Sequence, residues 1–145
     1  MTELETITLR PIGRVERDAA SVGLSLDDLR TRPARILLRP DLIPGLLGLE
    51  PGSGIVVLYY LHRSTGYALQ VHPQGDRSRS LRGVFATRSP RRPNPIGVTS
   101  ARVRRITGNV IEVVGLDALD GSPVLDIKSH SASFDSPYVA QGVDL

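Results

Sequence analysis

The sequence contains no cysteine, no tryptophan and only two phenylalanines among its 145 residues. Without cysteine the chain can form no disulfide and offers no thiolate ligand to a metal ion. Aromatic residues make up 4% of the composition, so the core has to be built mainly from valine, leucine and isoleucine. The chain is long enough to bury such a core, and we expect a single domain over residues 1–145.

Long apolar runs are also missing. No stretch of about 18 apolar residues is present, so the sequence predicts no membrane-spanning helix. The first 20 residues carry the acidic side chains Glu3, Glu5, Glu16 and Asp18, whereas a secretory signal begins with a basic segment. Together with the lack of cysteine, these features lead us to expect a cytoplasmic protein.

Lysine is nearly absent, because 17 of the 18 basic side chains are arginine. Nine arginines and no acidic residue occupy the segment 77–105: Arg77, Arg79, Arg82, Arg88, Arg91, Arg92, Arg102, Arg104 and Arg105. Such a block is typical of a surface that binds a polyanion, since guanidinium groups pair with phosphates through two parallel hydrogen bonds. For the last three, at the exposed positions and end of a strand, a solvated sheet face is an equally good explanation.

Short β-forming runs separated by turn residues dominate the chain. We predict strands over residues 34–38, 54–61, 67–71, 84–86, 98–106, 110–116 and 124–127, with residues 63–66 as a hairpin turn. Residues 7–15 contain Pro11 and Gly13 and are predicted to form a short strand with a break, or an edge strand. Ser25 is predicted to cap a short helix, and residues 41–49 to form a short helix or turn that packs into the core. The pattern indicates a mainly β fold, a single-sheet β-barrel-like domain with short helical segments. Alternating helices and a glycine fingerprint are missing, so a Rossmann fold is not expected.

The segment 83–97 reads GVFATRSPRRPNPIG and is the most distinctive part of the sequence. Pro90, Pro93 and Pro95 each fix a backbone dihedral and remove a donor, so regular structure cannot continue through them. Three arginines and one asparagine lie on this stiffened loop, between runs predicted as strands. A rigid cationic loop that joins strands is typical of a binding site.

This segment resembles the signature of the TrmO (YaeB/TsaA-like) family of S-adenosylmethionine-dependent tRNA methyltransferases. Three further segments are similar to the same family, and together the four cover nearly the whole chain. Residues 10–13 with Val15 resemble its opening strand, residues 48–50 and 55–63 its central strand and histidine, and residues 120–128 its closing motif.

The resemblance implies a single-sheet β-barrel that dimerises and binds S-adenosylmethionine near the subunit interface. It also implies methylation of N6 of threonylcarbamoyladenosine, the purine beside the anticodon of certain tRNAs. The cofactor contacts that it implies are His62, Arg63, Arg88, Val98, Leu116, Asp117, Ala118 and Leu119. Among these, Arg88 is expected to pair with the cofactor carboxylate, and Asp117 to accept from the ribose hydroxyls.

Other residues are candidates for binding RNA or for catalysis. Arg77, Arg79, Arg82, Arg91 and Arg92 are expected to contact RNA phosphates. Asn94, held between prolines, can either read a base or ribose edge or close a turn on its own backbone. Asp126 and Lys128 lie on one face of an extended strand, where they can orient a proton acceptor or form a structural ion pair. No metal site is expected, because His62, His72 and His130 lack a ligand spacing.

Three departures from the family pattern accompany the resemblance. Ser129 and His130 follow the closing motif where the family usually has Pro-Tyr, and no Pro-Arg-Gln segment follows Gly13. The sequence also stops near the end of the catalytic domain, so we expect no C-terminal domain. Two other functions therefore remain open: a methyltransferase that acts on a small molecule or a protein side chain, and a non-catalytic protein that binds S-adenosylmethionine.

Overall fold

The computed structural model describes residues 3–137, so both ends of the predicted 1–145 domain lie outside the described residues. The strands are β1 (Gly13–Glu16), β2 (Ala34–Leu38), β3 (Gly54–Tyr60), β4 (Gln70–Val71), β5 (Arg82–Gly83), β6 (Ile96–Thr107), β7 (Val110–Val114) and β8 (Pro123–Ser129). Two short helices, α1 (Leu26–Arg30) and α2 (Ala132–Asp135), and four 3₁₀ turns complete the described part. None of its helices has the length and apolar character needed to cross a membrane.

Six strands form one antiparallel sheet in the order β1-β2-β7-β6-β3-β8. Because β1 pairs with β8 as well as with β2, hydrogen bonds run around a closed ring. The strands β4 and β5 pair only with each other, outside this ring. The prediction of a mainly β, single-sheet barrel-like fold with short helices is thereby confirmed.

The interior of the ring is filled by alternate residues of the strands. In β3 the buried positions are Ile55, Val57 and Tyr59, and in β7 they are Ile111 and Val113. On β6 the buried positions are Thr99, Ala101 and Val103, which confirms the predicted strand with one wet face. This period-two burial follows from the alternation of side chains across a pleated strand.

Several local predictions match the structure closely. The predicted strand 34–38 coincides with β2, and the runs 54–61, 98–106, 110–116 and 124–127 each contain or overlap a strand of the ring. The Ser25 hydroxyl accepts from the backbone N–H of Asp28, as expected for the cap of α1. The 3₁₀ segment Pro40–Leu46 overlaps the predicted 41–49 turn, and Leu46 and Leu49 pack against the core while Leu47 is 95% exposed.

Two predictions of local structure were wrong. Residues Val84–Ala86 form a 3₁₀ turn rather than a strand, because the N–H and hydroxyl of Thr87 both fold back onto the Val84 carbonyl. Residues 63–66 do not join paired strands either. Both edges of β3 are already occupied by β6 and β8, so Gln70–Val71 pairs with Arg82–Gly83 instead.

Candidate functional site

A cavity of about 540 Å³ opens at the end of β3, a size typical of small-molecule sites. Three segments that are distant in the sequence converge on it: the turn after β3, the proline-rich loop (residues 87–95), and the loop between β7 and β8 (residues 115–122). The lining residues are Leu26, Tyr59, Leu61, His62, Arg63, Ser64, Thr65, Pro90, Arg91, Asp117, Ala118, Leu119 and Ser122. The structure thus brings His62 and Arg63 together with residues 117–119, as their predicted shared role requires.

The turn that carries His62 and Arg63 is fastened to the proline-rich loop. The N–H of Leu61 donates to the Pro95 carbonyl at 2.8 Å, and the hydroxyl of Ser64 donates to the Pro90 carbonyl at 2.8 Å. Prolines have no backbone donor, but their carbonyls accept without restriction. These two hydrogen bonds therefore anchor the residues on either side of His62 and Arg63 to a loop whose backbone is restricted by prolines.

Asp117 is held in the cavity wall by two buried hydroxyls. The Tyr59 hydroxyl donates to its Oδ1 at 2.8 Å, and the hydroxyl of Thr99 donates to the same atom. Burial, as the largest cause, raises the pKa of Tyr59 to about 12, so the phenol remains a donor at neutral pH. Both hydroxyls come from inward positions of neighbouring strands, which fixes this carboxylate relative to the sheet.

Sequence reasoning missed Tyr59 and Thr99 because each occupies an ordinary core position of its strand. It also missed Arg17, whose side chain is only 6% exposed. The Nε of Arg17 donates to the Ala118 carbonyl at 2.6 Å, and Nη2 donates to the Leu116 carbonyl. One signal was available: Arg17 lies two residues after Val15, and therefore on the buried face of β1 if the extended chain continues.

The proline-rich loop is organised by one of its own arginines. Nη1 of Arg92 donates to the carbonyls of Ser89 at 3.0 Å and Thr87 at 3.3 Å. Arg91 lines the cavity, whereas the exposed Arg88 and Asn94 are not among its lining residues in the described part. The loop therefore places a different arginine at the cavity from the one that the sequence favoured.

The remaining candidates lie away from the cavity lining. Leu116 is fully buried in the core, and Val98 on β6 is 40% exposed. Asp126 and Lys128 form an ion pair at 3.0 Å, with both side chains about half exposed. Arg77, Arg79 and Arg82 are exposed around the small β4-β5 sheet, and Arg79 lies 3.8 Å from Asp76. Within residues 3–137, no three histidine or carboxylate side chains come close enough together to hold a metal ion.

Comparison with known proteins identifies one matching family and several similar proteins. The tRNA-methyltransferase O N-terminal domain family matches residues 27–136. A probable S-adenosyl-L-methionine-binding protein of Methanothermobacter thermautotrophicus is 39% identical over 142 residues, which cover 94% of this chain and 98% of that protein. A human tRNA (adenine(37)-N6)-methyltransferase is 41% identical over 104 residues, but the match covers only 23% of its length.

A solved structure is also similar to this chain. The crystal structure of TrmO from Pseudomonas aeruginosa superposes with a TM-score of 0.70 at 28% sequence identity. The match covers 96% of this chain and 62% of the solved chain. The present chain therefore corresponds to part of the length of that protein, and to about a quarter of the human one.

Proposed function

The chain belongs to the tRNA-methyltransferase O N-terminal domain family, and on this basis we propose that it is an S-adenosylmethionine-dependent methyltransferase acting on tRNA. The proposed target is N6 of the adenine beside the anticodon, in its threonylcarbamoyl form. The observation that carries the proposal is the cavity at the end of β3, where His62, Arg63 and residues 117–119 meet. Because its proposed substrate is tRNA, we expect the protein to act in the cytoplasm.

The cavity residues fit the chemistry of S-adenosylmethionine. Asp117 Oδ1 receives two hydroxyl donors, and Oδ2 has no hydrogen bond within residues 3–137, so it can accept from a ribose diol. Arg63 and Arg91 both line the cavity, and a guanidinium can pair with a carboxylate. S-adenosylmethionine brings an activated methyl group on its sulfonium, so the protein has to bind, orient and exclude water rather than supply a nucleophile.

The 116–119 loop offers donors rather than acceptors to an adenine edge. The carbonyls of Leu116, Ala118 and Leu119 already accept from Arg17 or Ser122. In the described part, the N–H groups of Asp117, Ala118 and Leu119 donate no hydrogen bond. Since adenine ring nitrogens are acceptors, this loop suits recognition of the cofactor base through its N–H groups.

Two single substitutions distinguish Arg91, which lines the cavity beside Arg63, from Arg88, which the sequence favoured as the partner of the cofactor carboxylate. Arg91→Ala is expected to weaken S-adenosylmethionine binding by about 1.5–3 kcal/mol, the range for a hydrogen bond to a charged group. Arg88→Ala tests the role that the sequence suggested, and a loss confined to this variant would transfer the role to Arg88. Calorimetric titration of both variants measures the difference directly.

We further propose catalytic roles for Asn94, Asp126 and Lys128. The Asp126–Lys128 ion pair at 3.0 Å is equally compatible with a structural role. Asp126→Asn distinguishes the two, because loss of a proton acceptor lowers the rate of methyl transfer without changing cofactor affinity. If the ion pair is purely structural, Asp126→Asn would lower the unfolding temperature. The rate of methyl transfer would then be unchanged at temperatures well below unfolding.

We also propose that the protein forms a homodimer, in which the partner covers exposed apolar side chains. Leu47 is 95% exposed, and Phe85, in the loop that also carries Arg88, is 78% exposed. Leu47 lies before β3 and the cavity lies at the end of β3, so Leu47→Asp and Phe85→Asp probe different surfaces. Light scattering at micromolar concentration should show twice the chain mass for the wild type, and a monomeric wild type would refute the proposal.

One assay distinguishes the proposed function from its rivals. The protein is incubated with labelled S-adenosylmethionine and with tRNA from a strain that lacks the gene, and nucleosides are then analysed for methylated threonylcarbamoyladenosine. Cofactor binding without transfer to tRNA would favour a non-catalytic binding protein. The Methanothermobacter thermautotrophicus relative is named as a probable S-adenosyl-L-methionine-binding protein. Transfer to other acceptors, and not to tRNA, would favour the small-molecule or protein methyltransferase.

A further inference from the structure

Arg17 follows β1 and is the only charged side chain among the buried residues of the described part. A buried cation is costly unless it is fully paired, so an arginine in this position needs a set of matching acceptors. Three backbone carbonyls supply that set. Nε donates to Ala118 at 2.6 Å, Nη1 to Leu29 at 3.3 Å, and Nη2 to Leu116.

These three carbonyls belong to two different walls of the cavity. Leu116 and Ala118 lie in the loop between β7 and β8, whose residues 117–119 line the cavity. Leu29 lies on α1, whose first residue, Leu26, also lines the cavity. One planar guanidinium therefore connects both walls, in addition to the backbone hydrogen bond from Gly115 to Arg30.

The backbone of Arg17 adds a further contact to the same loop. Its N–H donates to Asp120 Oδ1 at 2.8 Å, and Gly121 N–H donates to the Val15 carbonyl at 2.8 Å. Burial lowers the pKa of Arg17, while the nearby ionisable groups of Asp117, Tyr59 and Asp120 oppose this effect. The loop has no regular structure of its own, so its conformation depends on these contacts together with the hydroxyls of Tyr59 and Thr99 that hold Asp117.

We propose that Arg17 is a positioning residue for the cofactor site. By drawing the carbonyls of Leu116 and Ala118 toward itself, it leaves the loop N–H groups and the Asp117 carboxylate for the ligand. Lysine cannot replace it, because a single ammonium lacks the planar fork that spans two carbonyls. This inference rests on the proposed function, in that the ligand of the loop is taken to be S-adenosylmethionine.

The test compares Arg17→Lys with a matched control, Arg35→Lys. Arg35 also pairs with its neighbours, bonding Glu16 at 3.1 Å and Asp18 at 2.9 Å, but neither of these partners lies in the cavity loop or in α1. We expect Arg17→Lys to lower S-adenosylmethionine affinity at least tenfold in calorimetry well below the unfolding temperature. The control should lower the unfolding temperature and keep the affinity within twofold of wild type.

Amide hydrogen exchange in the cofactor-free protein gives an independent measurement. Arg17→Lys should accelerate exchange in residues 26–30 and 116–120, whereas Arg35→Lys should not. If Arg17→Lys fails to fold, Asp120→Ala is used instead, and it should accelerate exchange in the same loop and lower affinity at least threefold. Unchanged affinity and exchange in the folded variant would overturn the proposal. If the wild type does not bind S-adenosylmethionine, the proposed function fails, while exchange still reports whether Arg17 holds the loop.

Discussion

Replacing Gly97 with alanine should disturb the cavity from a position outside its lining. Gly97 on β6 lies opposite Tyr59 on β3. A Cβ added at Gly97 would lie 2.5 Å from Cζ and 2.6 Å from Cε2 of the Tyr59 ring. Glycine is therefore required at this position by the ring packed against it, rather than by a turn.

The expected loss of stability follows from the packing and the hydrogen bond that the displaced Tyr59 ring would lose. Tyr59 is 6% exposed, so its ring cannot move into solvent without losing packing. Overpacking of this kind costs about 1–3 kcal/mol. Moving the ring also breaks the 2.8 Å hydrogen bond to the Asp117 carboxylate, which adds about 1.5–3 kcal/mol, the range for a hydrogen bond to a charged group. We expect a loss of about 2.5–6 kcal/mol, or roughly 8–18 °C in unfolding temperature for a domain of this size.

Gly83→Ala is the matched control, because Gly83 opens the same segment at φ −60° and a Cβ there would meet nothing within 4 Å. This control should be neutral or slightly stabilising. Denaturant unfolding of both variants, with calorimetric titration of S-adenosylmethionine, measures stability and site geometry together. In a Tyr59→Leu background, Gly97→Ala should cost much less, and the double-mutant cycle gives the coupling. Equal stability of Gly97→Ala and wild type would refute the steric explanation.

Three further predictions concern the arginines. Arg92→Ala should loosen the proline-rich loop by about 1–2 kcal/mol, since two hydrogen bonds to its own backbone are lost, and amide exchange across residues 87–95 should accelerate. The hydrogen bond from Arg105, with the nearby charge of Arg104, lowers the pKa of Glu112 below its ordinary value of 4.5. A depressed carboxylate pKa contributes stability that is lost as the pH falls through the folded value, so Glu112→Gln should flatten the pH dependence of unfolding below 4.5. Replacing Arg77, Arg79 and Arg82 together should reduce the salt dependence of tRNA binding without changing cofactor affinity; an unchanged slope would show that these arginines do not contact RNA.

The sequence by itself determined the β class and the main strands. It also pointed to all three segments that meet at the cavity, two of them through the family resemblance. Period-two burial and β-branched runs are local properties, so residues 34–38 and 54–61 could be recognised as strands without tertiary information. The Ser25 cap is likewise local, since donor and acceptor lie three residues apart. His62 and residues 117–119 were predicted through a family resemblance, and the structure brings them to one cavity.

Only the tertiary structure decided how the site is held. The contacts of Arg17 with Ala118 and Leu116 span about a hundred residues, and no local pattern records such a separation. Tyr59 is a core residue, as its position in the sequence pattern indicates, and its hydroxyl also donates to Asp117 in the cavity. In the folded proline-rich loop, Arg91 lines the cavity, whereas the Arg92 side chain bonds the backbone of the loop itself. Charge could be read from the sequence, but the direction of each side chain depends on how the ring of strands closes around it.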